Sequence, residues 1–236
     1  MTNEPVSIPA GRDGDADGNP ERALVIGYAC ATDRAGLRAL LRLDDMLAQI
    51  ARTTRDPLVG QMRFTWWHAA LNSLDTAPPA AQPILQALAA DVMPRGVSGA
   101  ALATLIEGWE ILVDPSPLGD AALRDHAVLR GGVLFRLAGM VLRASEADPL
   151  EAAGQGWALA DLARHVVDRN TAVRAASLAS VELDAATAVR WSRNGRPLGA
   201  LAHLARLDLR LPLQSRLPVG APSRVARLFW HRIAGR

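Results

Sequence analysis

The sequence predicts an all-α fold, a single-domain helical bundle, on three observations. Hydrophobic residues make up 50% of the chain, dominated by alanine and leucine, while aromatic residues reach only 4%. Strong helix formers with few β-branched or aromatic side chains favour helices over strands. Apolar residues recur at helical spacing from Glu21 onward, and no stretch keeps the two-residue alternation of a half-buried strand. Breakers fall between the periodic segments, at Pro78-Pro79, Pro94, Asp114-Pro115, Gly195, Pro212 and Pro218. A chain of 236 residues is long enough to bury a sizeable core.

Residues 1–20 are rich in Gly, Asp and Pro with few apolar positions, so a disordered tail is expected there, followed by one helical domain over residues 21–236. A first helix is expected over 21–31 and a second over 33–54. The second divides its charges cleanly. At about 100° per residue, Leu37, Leu40, Leu41, Leu47, Ala48 and Ala51 all fall within about 60° of Asp44, which therefore sits in the middle of the apolar stripe. Asp45 lies about 100° away, among Arg34, Arg38, Arg42, Gln49 and Arg52, and reads as a surface ion-pair partner. A carboxylate facing a core must find a donor, a metal or a proton, because burying it unpaired is expensive. Asp44 is thus either a paired structural residue or a cavity-lining functional one.

A third helix is expected over 57–74, with Asp56 as N-cap and Pro57 at the first position, where no N–H is needed. It carries Arg63, Trp66 and Trp67. Adjacent indoles cannot share a helical face, so one packs inward and the other lines a groove or seam; Arg63 is placed to lie over either ring. Helices are expected next over 80–92, 98–113 and 118–144. The last contains Arg130-Gly131-Gly132, which no strand precedes, so tight helix packing is favoured over a nucleotide loop. A long helix over 148–179 would bring Asp161, His165 and Asp168 within an arc of about 60° on one flank. Either these three form a polar site, or Asp161 and Asp168 pair with Arg164 at i+3 and i+4. Helices over 184–192, 197–209 and 222–234 complete the chain. The last places Val225, Leu228, Phe229 and Ile233 on one face, opposite Arg224, Arg227 and His231, with Trp230 at the border. Such a helix docks on its own bundle or lies on a membrane surface.

Charge is uneven. Net charge is +2 and all 26 basic residues are arginine. Residues 189–236 hold ten arginines and one acid, Asp208, whereas the remainder is net acidic. A basic final quarter suits an anionic partner, such as headgroups or a diphosphate. No recognition-helix motif or aromatic–basic interleaving supports a nucleic-acid partner, and none is expected. The lone Cys30 excludes a disulfide framework or cysteine metal site. The histidines show no H-x-x-x-H spacing, and G-x-S-x-G is absent. With no signal peptide and no apolar run near membrane length, a cytoplasmic location is expected, with peripheral attachment to the inner face of a membrane through residues 189–236.

The segment QMRFTWWHAAL resembles the R-x-x-WW helix of the squalene/phytoene synthase family, in a short form common in bacteria. LRALLRLDDMLAQIART before it and SRVARLFWHRIAGR at the end are similar to the same family's segments, so the resemblance spans roughly residues 22–236. It implies the isoprenoid-synthase fold and, in active members, head-to-head coupling of two polyprenyl diphosphates with Mg2+. There D-x-x-x-D places two carboxylates one turn apart on the wall of a central cavity, where magnesium bridges them to diphosphate. This chain keeps Asp44, but four residues on it has Ala48. The second motif, N-x-x-R-D-x-x-x-D, aligns with Asp161 to Arg169. Only Arg164 stands at its place, and the two ligand positions read His165 and Arg169. The resemblance therefore implies a protein without standard prenyl transfer, binding an isoprenoid or other lipid in the central cavity or a protein partner. By analogy with a mitochondrial complex I assembly factor of similar fold, a respiratory-assembly role fits as well. No cofactor is expected on this reading. The alternative is an active Mg2+-dependent prenyltransferase, with Asp44, Arg63, Asp161, Arg164, His165 and Asp168 as candidate catalytic residues and Asp44, Asp161 and Asp168 as candidate metal ligands.

Overall fold

The computed structural model describes residues 19–54, 56–113 and 118–236. Most of the expected tail and the break at Asp114-Pro115 lie outside the described residues. Every regular element among those described is helical: α1 (Pro20–Tyr28), α2 (Arg34–Thr53), α3 (Pro57–Ser73), α4 (Pro83–Asp91), α5 (Gly99–Glu110), α6 (Asp120–His126), α7 (Val133–Leu142), α8 (Leu150–His165), α9 (Arg169–Ala188), α10 (Arg196–Asp208) and α11 (Pro222–Ala234), with short 3-10 turns at Ala31–Asp33 and Met93–Arg95. Helix starts obey local chemistry. Asn19 and Asp56 cap α1 and α3 with Pro at the first turn, Gln82 caps α4 ahead of Pro83, and Ser98 caps α5. The first helix thus begins at Pro20, a position that composition alone assigns to the tail.

Two stretches depart from the sequence expectation, and the first shapes the site. The helix expected over 148–179 is broken. Val166 is extended at φ −75°, ψ 138°, and Asp168 accepts the N–H of Thr171 to start α9 afresh. Two β-branched valines before an Asp cap favour this restart. No separate helix covers 184–192; α9 runs on to Ala188. Between α6 and α7 the backbone stays helical but widens into a π turn over Ala127–Gly132, which offsets the register of α7 from that of α6.

α8 lies at the centre, packed on α9, α10, α7 and the π segment. Beside Leu159 and Leu162, its buried residues are small, Ala153, Gly154, Gly156, Ala158, Ala160 and Ala163, and this lets two neighbours come close. A Cβ on Gly131 would lie 2.0 Å from the Gly154 carbonyl oxygen, and one on Gly154 would lie 2.1 Å from that of Gly131. The Arg130-Gly131-Gly132 segment is therefore a backbone-to-backbone packing site, as the absence of a preceding strand suggested. Gly156 likewise admits Leu183 of α9. Gly131→Ala is expected to lower unfolding free energy by about 3 kcal/mol or more, because the clash is with backbone that cannot rotate away. Chemical denaturation checks this, and a loss under about 1 kcal/mol would contradict the crossing.

The final helix docks through a mixed side that takes one residue, Leu228, from its apolar face and two from its polar face. Arg224, Leu228 and His231 are buried, whereas Val225, Phe229, Trp230 and Ile233 are exposed. The polar side is held by specific partners. Arg224 donates to both carboxylate oxygens of Glu21 on α1, at 2.7 and 2.8 Å, and also to Asp208 at the end of α10. His231 donates Nε2–H to the Arg196 carbonyl at 3.1 Å.

Candidate functional site

Asp44 points inward from the middle of α2, as its place in the apolar stripe required, and is 1% exposed. Its partner is Arg130, presented by the π turn. The guanidinium meets it in a two-pronged pair, Nε to Oδ1 at 3.0 Å and Nη2 to Oδ2 at 2.9 Å. The third nitrogen, Nη1, reaches Asp161 Oδ2 on α8 at 2.7 Å. Trp109, near the end of α5, donates its indole N–H to Asp44 Oδ1 at 3.1 Å. The Arg130 guanidinium carbon also sits 4.0 Å from the Trp109 ring centroid and 4.8 Å from that of Trp157. Trp157 and Asp161 stand one turn apart on α8 and so share a face. One arginine thus links four helical segments by ion pairs and cation–π contacts, at nearly full burial. A desolvated ion pair of this kind is costly unless every polar atom is engaged, and here both Asp44 oxygens and all three arginine nitrogens are.

Asp161 carries two further partners, Arg52 of α2 at 3.3 Å and His165 Nδ1 at 3.1 Å. Burial alone would raise its pKa. Against that, Arg130 first, then His165 and Arg52, hold the carboxyl well below the usual range. His165 shifts the other way: burial disfavours its imidazolium, but the Asp161 carboxylate outweighs this and raises the pKa. His126, beneath Trp109, is fully buried and donates Nδ1–H to the Gly108 carbonyl at 2.7 Å. Burial, and then the charge of Arg130, lower its pKa to about 4. It is a neutral residue of the wall.

Of the six residues picked from sequence, the structure brings together three, Asp44, Asp161 and His165. Asp168 is not among them. The break after α8 takes it off the flank it was expected to share, and it is an exposed cap on α9 whose pKa is lowered by hydrogen bonds from Thr171. Arg164 donates to the carbonyls of Asp208, Pro212 and Ser215, and so ties down the end of α10, while Asp161 takes Arg130, Arg52 and His165 as its partners. Arg63 is exposed and bonds Thr54 Oγ1 at 3.4 Å rather than covering an indole. Trp67 anchors the core as expected, and Trp66 stands half-exposed with the two rings edge to face at 5.3 Å. Asp45 pairs with Arg22 on α1. Sequence reasoning missed Arg130, Trp109, Trp157 and Arg52. The available signal was a single arginine inside the apolar run from Ala127 to Phe135.

The family model for squalene/phytoene synthase matches residues 18–205. The chain belongs to the squalene/phytoene synthase family. No curated protein matches it. The match takes in every residue of the buried cluster and ends before α11, so the resemblance noted for the closing segment lies beyond it.

Two of the positions that the resemblance aligned with carboxylates are Ala48 and Arg169. Ala48 offers no ligand atom, and Arg169 is an exposed cation at the start of α9. Asp44 and Asp161 face each other, but each is bonded to Arg130. Among the described residues no three acids, histidines or cysteines are grouped to hold a metal ion. The donor set that remains does not fit a divalent cation, because a guanidinium stands between the two carboxylates that could share one.

Charge in this cluster can be tested in two ways. Arg130→Met leaves Asp44 buried without its counter-charge and takes from Asp161 one of three cationic partners, and is expected to cost roughly 3–5 kcal/mol of stability. Adding Asp44→Asn and Asp161→Asn should restore much of that loss in chemical denaturation, and no recovery would mean that charge is not what Arg130 supplies. The second test concerns acid. Burial lowers His126 and His231 from 6.5 to about 4. The unfolded chain therefore takes up protons that the folded one refuses, so this stability is complete above pH 6.5 and is lost as pH falls towards 4. His165, with its raised folded value, contributes fully below the ordinary histidine pKa and loses that contribution as pH rises through the folded value. In His126→Gln the acid-side slope of unfolding free energy should flatten by up to roughly 1.4 kcal/mol per pH unit; an unchanged slope would place its titration elsewhere.

Proposed function

We propose that this squalene/phytoene synthase-family protein does not ionise prenyl diphosphates with magnesium. It instead serves as a lipid- or partner-binding protein, of the respiratory-assembly type suggested by the resemblance, and works at the inner face of a membrane. The observation that carries the reading is Arg130 bonded to both Asp44 and Asp161. Departure of a diphosphate from an allylic carbon requires divalent charge to build up against the leaving group, held by clustered carboxylates. In this chain those carboxylates are satisfied by an internal cation that cannot bridge to a substrate oxygen while it is stacked between Trp109 and Trp157.

The lipid side of the reading draws on the final quarter of the chain. Ten arginines against one acid make it attractive to anionic headgroups. α11 exposes Val225, Phe229, Trp230 and Ile233 beside them. No described helix is long and apolar enough to cross a membrane, so attachment would be to the surface.

Purified protein incubated with Mg2+ and farnesyl or geranylgeranyl diphosphate should release no diphosphate above the no-protein control. Magnesium-dependent release that disappears in Asp44→Asn, a near-isosteric change that keeps an acceptor for Trp109, would overturn the non-catalytic reading.

A further inference from the structure

A cleft of about 560 Å³ opens where the α1–α2 junction meets the loop before α10 and the end of α11. Its lining includes Arg34, Arg193, Arg196 and Arg232, together with Asn194 and Asp33. The one acid is already spent: Asp33 accepts from Arg95 at 2.9 Å and from Arg143 at 2.7 Å, neither of which lines the cleft. The four lining arginines, by contrast, have no carboxylate partner among the described residues. Arg34 donates to the carbonyls of Ala29 and Gly27, both at 3.0 Å, and Arg196 to that of Arg232 at 2.7 Å. These neutral acceptors orient a guanidinium without cancelling its charge, and each leaves part of its five-donor fork unused. Arg232 lies over the Tyr28 ring at 4.8 Å, which fixes it further. A smaller cleft shares Arg193 and Arg196 and adds Arg190, whose Nε is held by the Ala234 carbonyl, and Asp148, whose carboxylate accepts from Ser145 and Ser192.

Four arginines without a carboxylate partner among the described residues repel one another at one concavity, and a bound phosphate anion relieves that repulsion. The neighbouring surface says what carries the anion. Arg232 belongs to α11, and residues 229, 230 and 233 of the same two turns are the exposed Phe, Trp and Ile. Apolar side chains beside a cationic cleft complement a molecule with a phosphate head and an acyl body. We propose that this cleft binds the phosphate of an anionic phospholipid headgroup while Phe229, Trp230 and Ile233 enter the acyl region. The proposal rests on the lipid-surface reading above and names the site that performs it.

Full-length protein is sedimented with vesicles of phosphatidylcholine alone or with one-third phosphatidylglycerol. Wild type should partition onto the anionic vesicles, and Arg193→Ala with Arg232→Ala should weaken that by at least about tenfold. Phe229→Ser with Ile233→Ser should weaken binding as much. All four positions are exposed, so unchanged far-ultraviolet circular dichroism checks that the variants fold. In parallel, glycerol 3-phosphate is titrated and monitored by chemical shifts of arginine side chains. If anionic-vesicle binding survives both arginine substitutions, the cleft assignment is overturned while the lipid-surface reading stands. If glycerol 3-phosphate binds and vesicles do not, the phosphate cleft stands and its lipid source is overturned. If neither binds, both are overturned.

Discussion

The interior of this protein depends on a desolvated cation. Arg130 neutralises Asp44 and Asp161, stacks on Trp109 and Trp157, and thereby joins α2, α5, the π turn and α8. Each participant is positioned by something else. Asp44 is carried inward by a leucine stripe, Arg130 is offset by the widened turn, and that turn can approach α8 only because Gly131 and Gly154 lack side chains. The cost of burying the charges is offset by complete hydrogen bonding, so loss of any partner exposes the full desolvation penalty of the others.

Family membership and interior chemistry are separate questions. A fold of this family is recognisable over most of the chain, yet what happens in its interior is set by a few side chains, in keeping with the general rule that activity resides in a site rather than in a scaffold. Two carboxylates facing each other across helices are equally ready to hold a metal or a guanidinium. Which one they hold depends on whether a neighbouring helix presents an arginine or leaves space.

Much of the helical framework was legible in the sequence because breakers and 3.6-residue periodicity act locally. The burial of Asp44 came from counting around α2, and the packing role of Gly131 from the absence of a strand. The counter-charge could not be read the same way. Arg130 is 86 residues from Asp44 and 31 from Asp161; its place in an apolar run hints at burial, but nothing local names the acids it meets. The assignment of Asp168 failed because angular arithmetic assumes an unbroken helix, and Val166-Val167-Asp168 ends one and starts another. For α11, apolar periodicity did not foretell that Arg224 and His231 share the docked side with Leu228. The long-range tether of Arg224 to Glu21, 203 residues away, outweighed the preference for burying Phe229 and Ile233.

The arginine between the two acids has one more consequence. A metal-built centre depends on ions drawn from the surrounding solution, and without them its acids push the surrounding walls apart. Here the neutralising cation is covalently part of the polymer and arrives with the segment it belongs to, so assembling the interior and balancing its charge are one event. No chelator can strip it out, and no ion shortage in the surroundings can leave it incomplete.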